Sequence, residues 1–265
     1  MFSRFQLLTK YLHYYRKAAN AKGHGMHSPF VFQLITAVLN DKAEYPAYRQ
    51  VEVLRRELKA NPAILQVEDF GAGSVLSKSK ERSIASIATN AAKPKKFGQL
   101  LYRLVQQYQP QVIVELGTSL GISSCYLAMG NKAATLYTME GAAAIATVAQ
   151  QNFIQLQLKN IQLIQGNFDD TLPELIKQLQ KVDFVFIDGN HRKEPTLSYF
   201  EQLLPLTHND TIIVFDDIHW SRGMEDAWSV IQQHPSVRCS IDLFFIGIIL
   251  FRKEFKEKQH FAIRF

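Results

Sequence analysis

The sequence predicts an α/β protein: a Rossmann-like, seven-stranded, mostly parallel sheet with a terminal antiparallel hairpin, plus an N-terminal helical appendage. Three observations lead there. From Gln111 onward, short apolar runs rich in β-branched residues alternate with segments of helical periodicity, the pattern of parallel strands joined by right-handed crossovers. Near the C-terminus two such runs, residues 237–244 and 246–251, follow each other with almost no connector, which fits an antiparallel pair at one edge of the sheet. The first 96 residues lack this alternation and show helical stretches broken by glycine and proline.

Within residues 1–96, helices are expected over 2–16, 29–39 and 48–58, punctuated by Gly23-His24-Gly25 and Ser28-Pro29. Residues 97–265 are expected to form the main domain. Its five parallel strands fall at 112–114, 134–139, 161–164, 182–187 and 212–215, each short and bounded by turn or polar residues. Helical segments at 122–129, 142–158, 172–179 and 197–204 lie between them, and 224–233 supplies one more helix before the hairpin. No internal repeat or low-complexity tract is visible.

The chain has 265 residues, enough for one α/β domain of about 150 to 200 residues with an appendage. Two cysteines, Cys125 and Cys239, are too few for a disulfide framework or a cysteine zinc site, which favours a reducing compartment. The longest apolar stretch, residues 243–251, is far short of the roughly 20 residues that span a bilayer. The N-terminus reads as an amphipathic helix without the apolar core and cleavage site of a signal peptide, so a cytoplasmic protein with no membrane partner is expected. The net charge of +6 is uneven: residues 1–96 carry 16 Lys and Arg against 7 Asp and Glu, or +9, and the remainder 14 against 17, or −3. Arg16, Lys17, Lys22 and the Lys93-Pro94-Lys95-Lys96 run can meet an anionic partner, but they are not densely clustered and no nucleic-acid motif accompanies them. A solvated basic face is expected.

The strongest local signal is Glu115-Leu116-Gly117-Thr118-Ser119-Leu120-Gly121, between the first strand and a helix. Gly117 and Gly121 let the backbone approach a ligand at the helix N-terminus, where free N–H groups and the dipole hold a polar or anionic group. Glu140, 23 residues after Gly117, ends the second strand, where a carboxylate can accept hydrogen bonds from ribose hydroxyls. Together they describe an adenosine site. A second glycine loop, Asp69-Phe70-Gly71-Ala72-Gly73-Ser74, is followed by no strand ending in an acid and reads as a structural turn or a cover.

On these residues the sequence resembles the class I S-adenosylmethionine-dependent methyltransferases, and among them the catechol O-methyltransferase-like and macrocin O-methyltransferase-like enzymes, over about residues 97 to 265. The family's first motif matches Glu115, Gly117 and Gly121, with Ser119 inside the loop, and its ribose-binding acid matches Glu140. A dinucleotide-binding dehydrogenase would want glycine where Ser119 stands. The resemblance also implies a polar contact to adenine after the third strand, at Gly166-Asn167-Phe168-Asp169-Asp170. Asn167 is the hydrogen-bonding candidate and Phe168 the stacking one, with Asn167 or Asp169 equally suited to cap the next helix.

The fourth strand runs into Asp188-Gly189-Asn190-His191 and the fifth into Asp216-Asp217-Ile218-His219. Carboxylates converging at strand ends repel unless a cation sits between them, and oxygen ligands suit Mg²⁺ or a similar hard ion. Metal-dependent relatives place acids at the positions of Asp188, Asp216 and Asp217, so the resemblance implies a metal site there, with Asp188 alternatively touching the cofactor. His191 stands where catechol-type enzymes carry the lysine base, and His219 competes as base or ligand. His24 and His27, with Phe30, can cover an acceptor pocket.

The function implied is methyl transfer from S-adenosylmethionine to oxygen on a small hydroxylated molecule, with Mg²⁺ as the candidate assisting ion. Two alternatives stand beside it. The basic appendage would suit nucleic-acid methylation, but the Asn/Asp-Pro-Pro-aromatic loop of amino-methylating DNA enzymes is absent after the fourth strand, where Asp188-Gly189-Asn190-His191 stands. The other is a catalytically silent cofactor-binding protein.

Overall fold

The structure is a computed structural model that describes residues 1–19, 28–67, 81–90 and 93–265. The second glycine loop at 69–74, Lys22 and the 23–27 segment with His24 and His27 lie outside the described residues. In chain order the elements begin with α1 (Arg4–Lys17), α2 (Pro29–Gln33) and a π-helical stretch, Leu34–Leu39. Then come α3 (Pro46–Ala60), β1 (Ile64–Gln66), β2 (Glu81–Ser83), α4 (Ile84–Asn90) and α5 (Lys95–Tyr108). The alternating region follows as β3 (Val112–Leu116), α6 (Ile122–Gly130), β4 (Thr135–Glu140), α7 (Ala143–Gln155), β5 (Ile161–Gln165), α8 (Phe168–Gln178) and β6 (Phe184–Ile187). It closes with α9 (Lys193–Leu203), β7 (Ile212–Asp216), α10 (Arg222–Gln233), β8 (Cys239–Asp242), β9 (Ile246–Leu250) and β10 (Gln259–Ala262).

The main sheet has eight strands in the order β10-β8-β9-β7-β6-β3-β4-β5. All seven expected strands are present, β8 and β9 pair antiparallel as expected, and β10 adds an eighth strand parallel to β8. The hairpin therefore sits one strand in from the edge. β10 escaped the periodicity because Gln259-His260-Phe261-Ala262 is short, polar at both its first positions and only half-buried.

Two compact units emerge, Lys42–Leu175 on one hand and Met1–Asp41 with Ile176–Phe265 on the other. In the first, β3 and β5 both pair parallel with β4, and the small β1–β2 sheet is antiparallel. Its core joins Val51 and Leu54 of α3, Ile87 of α4, Tyr126 of α6 and Phe153 of α7, all nearly inaccessible to water. The α5 apolar face reads at helical spacing and is buried through Leu100, Leu101, Leu104 and Val105. α5 ends where Gln109 takes a left-handed conformation at φ 48°.

In the second unit, β6 pairs parallel with β7, and β9 antiparallel with β7. These strands read as unbroken apolar runs because every residue of β6, β7 and β9 is buried. Gly247 of β9 lets Trp228 of α10 lie on the sheet: a Cβ at Gly247 would come within 2.6 Å of the indole ring. α1 starts at a capping box in which Ser3 and Gln6 satisfy each other's amides, and its Tyr14 packs with Ala18 and Phe244. Among the described residues no helix is long and apolar enough to cross a membrane.

Candidate cofactor loop and acidic cluster

The glycine loop leaves β3 at Leu116 and turns through three residues of positive φ, Gly117 at 110°, Ser119 at 48° and Gly121 at 79°. Backbone bonds lock it, since the amides of Gly117 and Thr118 both donate to the Met139 carbonyl on β4, and Gly121 N–H donates to Thr118 O at 2.8 Å. Gly121 begins α6, whose first turn receives no side-chain cap. Its amides thus remain directed at the loop, the arrangement that receives polar and anionic groups. The glycine is required on a second count, because a Cβ there would sit 2.5 Å from the Phe153 ring.

Glu140 ends β4 with its carboxylate oriented by two backbone amides, from Ser119 at 2.8 Å and Ala142 at 2.9 Å. An ionised carboxylate accepts at about four sites, enough for both amides and the hydroxyls of a ribose. The residues present therefore fit an adenosine: glycine loop, uncapped helix start and oriented acid occupy one contiguous segment.

Glu115 lies deeper, with no exposure to solvent. It faces Thr138 across the β3–β4 register. Thr118 donates to Thr138 at 2.6 Å and Thr138 donates to Glu115 Oε2 at 2.6 Å, with Ser124 donating to the same oxygen. Burial pushes the carboxyl up to about 7; the hydroxyls of Ser123, Ser124 and Thr138 pull it back, and the Glu140 charge raises it further. Thr118, Ser124 and Thr138 are supports that motif reading missed. Thr138 alone left a signal, standing two residues before Glu140 on the same strand face.

At the end of β5, Gly166 turns at φ 144° and Asn167 begins the next helix. The Asn167 side chain accepts from Asp169 N–H at 3.3 Å, and its carbonyl accepts from the amides of Asp170 and Thr171, so the N-cap role is the one the geometry shows. Phe168 opens α8 half-buried.

In the other unit, Asp188 follows β6 and Asp216 ends β7, its carboxyl buried at 1% exposure. Asp188, His191 and Asp216 each direct one ligand-type atom to within 4.8 Å of the other two. His191 Nε2 lies 3.6 Å from Asp188 Oδ1. The turn that carries them is held by Asn190, at φ 63°, whose amide group donates to Tyr199 Oη at 3.1 Å and accepts from Arg192 at 2.7 Å. Asp217 is not in this group of three. It takes a left-handed conformation at φ 53°, and its amide donates to Phe245 O at 2.7 Å. The donor set is two carboxylates and an imidazole, which suits a divalent ion that accepts mixed oxygen and nitrogen ligands.

His219 does different work. Nδ1 lies 2.9 Å from Glu225 and Nε2 2.8 Å from Asp242, and the ring stacks on Phe244 with centroids 5.0 Å apart. Burial pulls its pKa down, but the hydrogen bonds and charges of Asp242 and Glu225 outweigh it and raise the value. With both nitrogens held by carboxylates, this imidazole is a bridge within the fold and has no nitrogen left for an acceptor's proton.

Comparison with known proteins gives matches in sequence and in fold. Residues 114–218 match a family described as "Methyltransferase domain". A catechol O-methyltransferase of Niastella koreensis is 35% identical over 124 residues, covering 46% of this chain and 55% of the relative, so the chain spans about half the length of the curated relative it matches. Solved structures share the fold. An S-adenosylhomocysteine-bound methyltransferase of Podospora anserina superposes with a TM-score of 0.60 at 14% identity, covering 86% of this chain and 97% of that one. For a Bacillus cereus O-methyltransferase in complex with S-adenosylhomocysteine the values are 0.56, 20%, 83% and 97%. For the S-adenosylmethionine-bound O-methyltransferase of Streptomyces achromogenes involved in tomaymycin synthesis they are 0.58, 20%, 79% and 91%. The chain is thus similar to the class I S-adenosylmethionine-dependent O-methyltransferases, and its fold is theirs.

Proposed function

We propose that the protein transfers the methyl group of S-adenosylmethionine to a hydroxyl oxygen of a small molecule, with residues 97–265 carrying the chemistry and residues 1–96 as an appendage. The observation that carries this reading is the bond from Ser119 N–H to Glu140, which holds glycine loop and ribose acid together as one adenosine-binding segment. The S-adenosyl ligands named for the structural neighbours and the catechol O-methyltransferase match support it.

S-adenosylmethionine would supply an electrophilic methyl on a sulfonium, passed in line to the acceptor oxygen as the S–C bond breaks and S-adenosylhomocysteine is released. This chain binds and orients. Glu140 accepts from the ribose, the α6 amides meet the polar end of the cofactor, and Phe168 and Asn167 border the adenine. His191 takes the acceptor's proton, with Asp188 Oδ1 3.6 Å from its Nε2. A divalent ion held by Asp188 and Asp216, with Mg²⁺ the first to test, would lower the acceptor's pKa.

The test is calorimetric titration with S-adenosylmethionine, S-adenosylhomocysteine and NAD, followed by turnover on a catechol with and without Mg²⁺. Preference for the adenosyl ligands with methyl transfer supports the reading. Preference for NAD overturns it, and binding without turnover on any hydroxylated acceptor leaves a silent binder.

A further inference from the structure

Helix α1 presents two apolar faces. One is satisfied: Tyr11 and Tyr14 pack on Phe244 with ring centroids 5.1 and 5.3 Å apart. The other is not. Phe5, Leu8, Leu12 and Tyr15 recur at spacings of three and four along one stripe and are 77, 55, 49 and 47% exposed. At 3.6 residues per turn Arg4 falls along one border of that stripe and Arg16 along the other, both exposed. Residues 1–19 contain four Lys and Arg and no Asp or Glu, and of the four only Lys10 turns inward, to Glu225 at 3.0 Å.

We propose that α1 is a peripheral docking helix that lays the Phe5, Leu8, Leu12 and Tyr15 stripe into the surface of an anionic lipid bilayer, with Arg4 and Arg16 at the headgroup phosphates. The inference is independent of methyl transfer, and it revises the expectation of no membrane partner: the chain lies on the bilayer without crossing it. Charge selects the occupant. The same spacing would suit a coiled-coil seam with a second copy. But α1 has no acid to set against a partner's Arg4 or Arg16, so pairing in either direction brings basic borders together. Anionic lipid supplies the missing charge, and a helix with one apolar stripe and basic borders is the form that lies in the interfacial plane. The surrounding surface continues the pattern. Trp220, whose carbonyl accepts from the Phe2 amide at 3.0 Å, and Phe245, stacked on Tyr11 at 6.0 Å, are 37 and 41% exposed, and aromatic side chains favour the headgroup level.

The experiment is flotation of the full chain with vesicles of phosphatidylcholine alone or mixed with phosphatidylserine, at low and high salt. Association with the phosphatidylserine vesicles, weakening as salt rises and absent with phosphatidylcholine alone, is the expected result. Leu8→Gln with Leu12→Gln replaces exposed side chains with another good helix former and should lower association at least about tenfold. Arg4→Gln with Arg16→Gln should do the same, while circular-dichroism melting stays unchanged in both. No association at low salt overturns the proposal, as does association that survives the leucine substitutions. So does a lipid-free dimer in analytical ultracentrifugation that the leucine substitutions dissolve, since the stripe is then a protein interface.

Discussion

The amide of Ser119 donates to Glu140 Oε2 at 2.8 Å, so the acid that ends β4 also fixes the loop that follows β3. Removing the carboxylate therefore acts twice, on the proposed ribose acceptor and on the loop that leads into α6. Glu140→Ala should weaken S-adenosylmethionine binding by about 1–3 kcal/mol, the range for lost hydrogen bonds to a charged group. Calorimetric affinity unchanged in a folded variant would remove Glu140 from the cofactor site.

Gly121→Ala tests the loop from its other end. The left-handed backbone at φ 79° costs an L residue roughly 1–2 kcal/mol. The added methyl also meets the Phe153 ring at 2.5 Å, an overpacking worth about 1–3 kcal/mol. Urea unfolding should show both. Adding Phe153→Leu should recover the second part and leave the first; no recovery would place the cost wholly in the backbone.

Glu115 gives a pH dependence whose sign follows from burial. Its carboxyl is raised to about 7, above its unfolded value, so the stability linked to its protonated form is full in acid and lost as pH rises through about 7. The ionised state costs roughly 3 kcal/mol by that shift. Glu115→Gln keeps an acceptor for Thr138 and removes the titration. Denaturant midpoints of parent and variant should therefore diverge in the variant's favour between pH 5 and about 8. Parallel pH profiles would mean that Glu115 stays charged and solvated enough not to titrate.

What the sequence disclosed and what it withheld divides along chain distance. Strands β6, β7 and β9 were legible because burial on both faces leaves unbroken apolar runs, the partly buried β4 and β5 because their short apolar-rich runs alternate with helical segments, and Glu115, Gly117, Gly121 and Glu140 because a loop between strand and helix is a local motif. β10 was not, since its pairing with β8 is visible only in the backbone. The partners of His219 were hidden for the same reason: Asp242 lies 23 residues away on another strand, so an imidazole two residues beyond an acid pair looked like a base or a ligand. Asn167 read evenly as adenine contact or helix cap because both roles use the same side-chain oxygen. Only the direction of Asp169 N–H distinguishes them.

His219 is accordingly predicted to matter for folding. Its pKa is raised, so its contribution is complete below the ordinary histidine value and fades as pH rises through the folded one. His219→Gln should cost about 1–3 kcal/mol at a pH below the ordinary histidine value and distinctly less at a pH that has risen through the raised folded one. Guanidinium unfolding at the two pH values reads this directly. An equal penalty at both would show that packing on Phe244, and not charge, is what the ring contributes.

The acidic cluster carries the last prediction. Asp188, His191 and Asp216 bring two carboxylates and an imidazole within 4.8 Å, and Asp216 is almost wholly buried. Two carboxylates so placed oppose an acceptor oxyanion unless a cation offsets them. A chelator should therefore abolish methyl transfer to a hydroxylated acceptor and Mg²⁺ should restore it. Cofactor affinity should survive, because Glu115 and Glu140 stand on β3 and β4, and Gly117 and Gly121 in the loop that follows β3. Asp216→Asn should reproduce the chelator's effect and lower the affinity for a spectroscopic probe ion such as Mn²⁺. His191→Ala separates base from ligand: if His191 is the base, the substitution lowers kcat while leaving Mn²⁺ affinity nearly intact. A loss of Mn²⁺ affinity in step with the loss of rate would instead make His191 a ligand and leave the acceptor's proton to solvent or to another residue. Full activity in chelator would reject the metal and keep His191, with Asp188 beside it, as the base.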